Sequence, residues 1–141
     1  MMGVGVPSFR NFIAQQRVKS ASYDLAAAFL YARSEAIKRN APVTVTPVSS
    51  TDWTTGWNIT TAISGVTTTL QVKTMIQSIS ITQTPAAAAI TFNGTGRPTA
   101  AAKTYWWIGS SVSGVSVTPR CVALDTAGQT SSSTSSGTTC P

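Results

Sequence analysis

The chain has 141 residues and a mass of 14.7 kDa, which suits one domain, or one domain with an appended element, better than two independent cores. It contains 18 Ser and 23 Thr, its formal net charge is +6, and only 10% of its residues are charged, against about 25% in an average soluble domain. Because 42% of the chain is hydrophobic, the low charge does not indicate disorder, and this composition is more typical of exported proteins than of cytosolic enzymes.

Several residue types on which enzymes rely are missing or scarce. There is no His, which removes the usual general base near neutral pH and the commonest metal ligand. The acidic residues Asp24, Glu35, Asp52 and Asp125 are far apart in sequence, so neither a catalytic carboxylate pair nor a hard-cation site is expected. A Ser/Lys pair is conceivable, but no sequence context distinguishes one Ser from the others. We therefore expect no catalysis, no metal and no cofactor.

The segment from Ser8 to Asn40 predicts one long α-helix, because no Gly or Pro interrupts it and strong helix formers dominate. Pro7 stands at its start, and Asn40-Ala41-Pro42 closes it. In its second half, apolar residues recur at steps of three and four, which places them on one side of the helix. They are Val18, Ala21, Leu25, Ala28, Ala32 and Ala36, with Phe29 and Ile37 widening the stripe. This half is expected to pack on the rest of the domain.

The first half of the helix has large apolar residues with no obvious core of their own, namely Val6, Phe9, Phe12 and Ile13. We interpret this half as a stem that projects from the domain. The small apolar run from Met1 to Val6 stops abruptly at the N-terminus, and we interpret it as the end of a longer apolar segment. No stretch of 18 or more apolar residues is present in the chain as written.

From Val43 onward, short β-rich runs alternate with turn residues, which predicts an antiparallel sheet or sandwich. The predicted strands are Val43 to Val48, Trp57 to Ile63, Val66 to Lys73, Ile76 to Thr82, Ala89 to Asn93, Thr104 to Ile108, Val112 to Thr118 and Arg120 to Leu124. Ser64-Gly65 and Asn93-Gly94-Thr95-Gly96 are the clearest turns. The Ser/Thr/Gly run from Gly128 to Thr139 has almost nothing to bury and predicts a loop.

Cys121 and Cys140 bracket that loop. A disulfide between them would close about 20 residues and contribute on the order of 3 kcal/mol in the chain-entropy model. Its role would be to fix the tail to the last strand. Two free thiols are the alternative, and a metal site made of two Cys without His is less favoured.

The positive net charge indicates an anionic partner at first sight, but its distribution weakens that interpretation. Residues 1–40 carry six cations and two acids, whereas residues 41–141 carry four cations and two acids. Of the latter, Arg97, Lys103 and Arg120 could form a DNA-contacting patch only by converging in the fold. The alternative is that they are solvated or sheet-edge charges that discourage aggregation. Arg97, which lies between a double-glycine turn and Pro98, is also the candidate for a structural role.

Aromatic residues allow a further class of function. Trp106 and Trp107 are adjacent in a predicted strand, so their side chains point to opposite faces. Together with Tyr105, Trp53 and Trp57, an exposed Trp could form a carbohydrate-binding or adhesive platform. The alternative, that these residues pack in the core and between strands, is favoured.

The order of the elements and several short motifs are informative in combination. An apolar run leads into Pro7-Ser8-Phe9-Arg10-Asn11-Phe12-Ile13, and the helix ends in Ala32-Arg33-Ser34-Glu35-Ala36-Ile37-Lys38-Arg39-Asn40. Downstream follow Val43-Thr44-Val45-Thr46, then Trp53 with Gly56-Trp57, then Ile90-Thr91-Phe92-Asn93 with Gly94, Gly96 and Arg97. From residue 4 to about residue 124, the chain resembles the GspH/FimT family of type IV minor pilins and type II secretion minor pseudopilins.

The resemblance implies an α+β, type IV pilin-like fold, in which a long N-terminal helix packs on an antiparallel β domain of two small sheets. It implies an inner-membrane protein that a prepilin peptidase cleaves and methylates and that enters a fibre through its helix. The peptidase site would lie upstream of Met1, and about 20 apolar residues would be expected before Val4. Val6, Phe9, Phe12 and Ile13 would pack among neighbouring helices in the fibre, rather than collapse onto the sheet.

One departure from the family concerns DNA. Some members that bind DNA for natural transformation carry a basic Gly-Arg-x-Arg element near the C-terminus, where this chain reads Gly128-Gln129-Thr130-Ser131. Both arginines are missing, which argues against carrying over the DNA-receptor role.

Together, these observations predict an assembly helix over residues 1–40, with its transmembrane part missing, and a β-rich head with a disulfide-closed C-terminal loop over residues 41–141. The expected function is that of a minor pilin in a type IV pilus or its tip or priming complex. The alternatives are a type II secretion minor pseudopilin, a DNA-binding minor pilin and an adhesive head. The expected partners are other pilins or pseudopilins and the inner membrane, with the head in the periplasm and then on the pilus.

Overall fold

A computed structural model describes residues 5–74 and 77–140. The elements are α1 (Gly5–Arg39), β1 (Val43–Ser49), β2 (Asp52–Ile63), β3 (Val66–Lys73), β4 (Ile79–Thr84), β5 (Ile90–Phe92), β6 (Thr104–Ser110), β7 (Arg120–Leu124) and β8 (Thr130–Thr134). The predicted helix and all predicted strands but one overlap with one of these elements. The first four residues of the N-terminal apolar run and the predicted strand start at Ile76 lie outside the described residues.

The eight strands form two antiparallel sheets. The first sheet has the order β3-β2-β1-β5, and the second has the order β4-β6-β7-β8. One long helix with two antiparallel sheets is the α+β architecture that the sequence predicted. The predicted turn at Ser64-Gly65 joins β2 to β3, and both residues have a positive φ, 52° and 79°. This is the backbone conformation of a two-residue hairpin loop whose twist matches that of its strands.

Helix α1 ends in a Schellman motif that directs the chain into β1. Asn40 has a φ of 50°, its N–H donates to the carbonyl of Ile37, and the N–H of Ala41 donates to the carbonyl of Ala36 at 3.2 Å. Asn tolerates the left-handed conformation better than most residues, so it ends this helix in the way that glycine ends many others. Pro42 follows, and it could not continue the helix.

One hydrophobic core lies between α1 and both sheets. Its centre is aromatic, because the Phe29 ring centroid lies 4.5 Å from that of Trp106 and 6.0 Å from that of Trp53. The indole N–H of Trp53 donates to the side-chain oxygen of Gln83 at 2.8 Å. Phe29 comes from the helix, Trp53 from the first sheet and Trp106 from the second, so the three parts of the fold meet here.

Residues 112–118 do not form the predicted strand. They form an irregular segment beside the helix, in which the N–H of Ser116 donates to the side chain of Asn11 at 2.9 Å. Gly114 interrupts the extended run with a φ of 76°. Helix side chains therefore supply the hydrogen-bond partners that a neighbouring strand would otherwise provide.

The predicted C-terminal loop contains a strand instead. Residues 130–134 pair with β7 along its whole length, for example Thr130 with Leu124 and Thr134 with Arg120. This strand lies at the edge of the second sheet, so its backbone is hydrogen-bonded although its Ser and Thr side chains bury little. The absence of apolar residues was therefore a poor guide in this segment.

The predicted disulfide between Cys121 and Cys140 is present, and it lies on the outer face of the second sheet. Val122 and Leu124 of β7 belong to the core, so Cys121 faces the other way. Cys121 pairs with Trp107 of β6, whose indole N–H donates to the carbonyl of Gly137 at 2.9 Å. The segment after β8 thus crosses the outer face and is held by a covalent bond and a hydrogen bond.

Candidate assembly surface

Three of the four residues predicted to form the helical stem are well exposed. The exposed fractions of Val6, Phe9 and Phe12 are 60%, 63% and 60%, whereas Ile13 is half-buried. Phe12 and Ile13 line a shallow groove of about 400 Å³ on the helix surface. Full burial of one such side chain is worth about 1.5–3 kcal/mol, so contact with an apolar partner would be favourable here.

The exposed apolar residues continue along the helix beyond the predicted stem. Tyr23, Leu30 and Ile37 are 59%, 54% and 50% exposed, and their spacing of seven residues places them on one side of α1. Ile37, which was predicted to widen the buried stripe, does so only in part, because half of its surface is exposed while its Cδ1 packs at Gly96. We refer to Phe9, Phe12, Tyr23, Leu30 and Ile37 as the outer helix row.

The opposite side of the helix is fixed to the head. Every residue of the apolar stripe on this side is buried in the core, as is Phe29. The six residues of the stripe are Val18, Ala21, Leu25, Ala28, Ala32 and Ala36. Because the head occupies this side of α1, the exposed surface of the helix includes the side of the outer helix row.

The N-terminal half of α1 is also held to the head, by polar contacts. The side chain of Gln15 accepts a hydrogen bond from the N–H of Thr118 at 2.7 Å and donates to its carbonyl at 3.1 Å. Asn11 accepts from Ser116, and Arg17 donates to the hydroxyl of a serine ahead of β4. The predicted free stem is therefore held along one side from Asn11 onward.

Of the three cations considered for DNA contact, Arg120 is engaged within the fold. Its guanidinium lies 5.6 Å from the centroid of the Tyr23 ring, and it donates to the Ser132 hydroxyl at 3.0 Å. Arg120 is half-buried, so these contacts leave little of it for a ligand.

The fold also separates Arg120 from Lys103. Lys103 precedes β6 at the end where Thr104 pairs with Leu124, whereas Arg120 pairs with Ile108 towards the other end of the same strands. At about 3.4 Å per residue, these ends are about 14 Å apart. The structure does not bring Arg120 and Lys103 together.

Arg33, and not Arg97, makes the side-chain contacts that join elements of the fold. The side chain of Arg97 is exposed, and its backbone N–H is held at 3.0 Å by the side chain of Asn93. Arg33 lies instead between Gly96 and Gly128, with its Nε only 3.1 and 3.2 Å from the positions where a Cβ would stand on these glycines. Its guanidinium donates to the carbonyl of Gly128 at 3.4 Å. The sequence does not single out Arg33, although the motif that contains it, Ala32 to Asn40, is one of those that carry the family resemblance.

The aromatic residues do not form an exposed platform. Trp53, Trp57 and Trp106 are buried, and Trp107 is half-buried beneath the C-terminal segment that bonds its indole. The ring of Tyr105 is half-buried, and the ammonium of Lys103 lies 5.3 Å from its centroid. The favoured alternative, in which these rings pack in the core and on the sheet, describes their environment.

Over residues 5–74 and 77–140, no three His, Cys, Asp or Glu side chains are grouped so that they could hold a metal ion. Among the same residues, no helix is both long and apolar enough to cross a bilayer.

A long helix that packs by one side on two antiparallel sheets and bears exposed large apolar residues on the other defines a pilin-like protein. The family model of the type II transport protein GspH matches residues 21–133. The chain therefore belongs to the GspH family, and the resemblance found in its sequence is confirmed.

The fold agrees with solved structures. The type IV minor pilin FimU of Pseudomonas aeruginosa strain PAO1 superposes with a TM-score of 0.71 at 21% identity, over 85% of this chain and 90% of that one. Its structure in a second crystal form gives a TM-score of 0.69 at 21% identity, over 82% and 91% of the two chains. At this identity, the likeness shows the type IV pilin-like fold. No curated protein sequence matches the chain.

Proposed function

We propose that this chain is a minor pilin of a type IV pilus, which assembles through α1 into the pilus or its tip or priming complex. The observation that supports this most is the outer helix row, in which five large apolar side chains lie on the exposed side of α1. Four of them are more than half exposed and the fifth is half exposed. Hydration of such an apolar row is unfavourable in a monomer, whereas neighbouring helices in a fibre would bury the row.

The proposal includes partners and a location. Other minor pilins and the major pilin would supply the neighbouring helices. The head would lie in the periplasm before assembly, with the protein held at the inner membrane by an apolar segment ahead of Val4. These statements rest on membership of the GspH family.

The test is to replace residues of the outer helix row in the full-length protein in its own cells. Phe12→Gln and Leu30→Gln should reduce surface pili at least tenfold, because each places an amide where an apolar helix should pack. Val48→Gln is the matched control, since Val48 is as exposed as Leu30 but lies at the end of β1. Pili would be counted by electron microscopy, and thermal melting of the purified proteins would check that all three fold. Normal piliation with Phe12→Gln and Leu30→Gln would contradict the proposal.

A pseudopilin of type II secretion is a second candidate, favoured by the matching family model, which describes a type II transport protein. The same strains distinguish the two functions. Loss of pili with normal levels of secreted enzymes in the culture medium supports the pilus role, whereas loss of secretion with normal pili supports the secretion role.

A further inference from the structure

Strand β3 is an open edge of the first sheet. It pairs with β2 on one side, and in the described part of the chain no other element packs against its backbone. Its end is tied to the helix by one ion pair, between Lys73 and Asp24 at 2.9 Å. A row of unpaired N–H and C=O groups along such an edge is a template for an additional strand.

The other sheet edges are shorter or covered. Strand β5 has only three residues and continues into a bridge between Phe92 and Pro98. Strand β8 lies against α1. Strand β4 lies along β2, where the N–H of Ile81 donates to the hydroxyl of Thr54. Among the described residues, β3 thus combines length with an uncovered edge.

This edge has little of the usual protection against strand addition, because its Lys73 stands at the end of β3 and is paired with Asp24, and a single bulge at Leu70 is the one irregularity in its pairing with β2. No charged residue occurs from Trp53 to Val72, although natural edge strands are commonly protected by Lys or Pro. Val66 and Val72 are 64% and 60% exposed. A row of threonines crosses the whole sheet and ends at this edge, and its members, in order from β5 to β3, are Thr91, Thr44, Thr60 and Thr69.

The edge is also continuous with the side of α1 on which assembly is proposed. A groove of about 310 Å³ separates β3 from the helix, with Ala27 and Tyr31 on the helix side and Gln71 and Val72 on the strand side. Ala27 is exposed and lies near the outer helix row. A subunit that packs along this row would therefore have its head beside β3.

We propose that β3 is a docking edge to which an uncharged, extended edge strand of a neighbouring pilin head adds, so that the first sheet continues from one subunit into the next. Main-chain hydrogen bonds would supply affinity, and the uncharged surface would select a strand without charged side chains. This inference rests on the proposed assembly through α1. Antiparallel pairing of β3 with the β3 strand of a second copy is incompatible with that assembly. It would place a two-fold axis perpendicular to the sheet, so the helices of the two subunits would point in opposite directions.

The first test uses a photo-activated benzophenone side chain at Thr69 of the full-length protein in its own cells. Opposite side chains on paired strands lie about 4.5–5.5 Å apart, so Thr69 should crosslink to a second pilin at an extended segment, as identified by mass spectrometry. The same group at Thr82, which is exposed on the other sheet, should give at least tenfold less of this product. No product at Thr69, or one that maps to a helix, would overturn the proposal.

The second test blocks the edge. Thr69→Lys with Val72→Lys should lower the number of pili at least tenfold, while Thr82→Lys should not, and all the purified proteins should melt alike. If these β3 variants form normal pili while Phe12→Gln does not, strand addition is wrong and assembly through the helix stands. If Phe12→Gln and Leu30→Gln form normal pili as well, both proposals are wrong. Sedimentation equilibrium tests whether the purified protein forms a dimer. A dimer that is lost in Thr69→Lys would also overturn the proposal, because it would show that β3 pairs with its own copy.

Discussion

At the scale of single residues, the tightest point in the fold is the junction of Arg33, Gly96 and Gly128. Both glycines have a positive φ, 81° and 93°, and a side chain on Gly128 would collide with the carbonyl oxygen of Gly96. The junction brings the turn after β5 and the turn after β7 together on the helix. Both sheets are therefore tied to α1 at a place where only glycine fits.

Replacement of Gly128 by Ala should therefore destabilise the protein beyond the usual cost of a positive φ. Gly65→Ala is the matched control, because Gly65 has a φ of 79° with open space around it. We expect Gly65→Ala to lower the free energy of unfolding by about 1–2 kcal/mol and Gly128→Ala to lower it by a further 1–3 kcal/mol from overpacking. Urea denaturation followed by Trp fluorescence measures both values, and equal losses would show that the close approach has no energetic weight.

At the scale of elements, α1 has two apolar sides, and the head covers only one. In its lower part the head makes polar contacts instead, through Asn11 and Gln15. The sequence predicted a stem without support because apolar spacing does not reveal a loop that bonds to helix side chains. Local stability here should depend on these few hydrogen bonds.

Gln15→Ala should loosen the lower helix, whereas Gln16→Ala should not. Gln15 makes two hydrogen bonds with Thr118, while Gln16 is exposed. With about 0.5–1.5 kcal/mol for each bond, loss of both should speed amide exchange in residues 8–16 about fivefold or more. Hydrogen exchange measured by mass spectrometry tests this, and equal exchange in the two variants would mean that residues 112–118 do not support the helix.

At the scale of the whole molecule, the helix and head are one folding unit rather than an appendage and a domain. Phe29 stands at the centre of the aromatic cluster, and removal of one buried Phe side chain costs about 3–5 kcal/mol. Total stabilities of proteins of this size are typically about 5–15 kcal/mol. The free energy lost with the whole buried stripe should therefore exceed the total stability of the head.

A fragment of residues 41–140 should accordingly fail to fold, whereas a fragment of residues 17–140 should fold. The longer fragment keeps the buried stripe from Val18 onward and lacks the outer helix row below Tyr23. Near-UV circular dichroism should show fixed Trp environments only in the longer fragment. A native-like spectrum from residues 41–140 would mean that the two sheets form a core without α1.

The sequence reveals those parts of the fold whose signal is local. The long helix, the Ser64-Gly65 hairpin and most strands follow from propensity and turn chemistry, and the two cysteines suffice to suggest their bond. Strand β8 was missed because an edge strand of Ser and Thr has no apolar alternation. Residues 112–118 have β propensity, but in the fold their backbone partners come from the helix.

The candidate surface was only half visible for a similar reason. Phe9 and Phe12 stand out because no buried stripe accompanies them, so the sequence marks them as candidates for contact with a partner. Leu30 and Ile37 lie next to buried residues, and only their angular position around the helix axis distinguishes them from these neighbours. Their spacing of seven residues, read together with Tyr23, was the available signal.

The position of the disulfide bears on the order in which the protein matures. Cys121 lies on the face of β7 that points away from the core, so the two sulfur atoms meet above a sheet whose packing does not include them. Oxidation can then follow folding of the head instead of directing it. A chain released into a reducing compartment would be expected to reach the same core and to differ only in a tail that is held by hydrogen bonds alone.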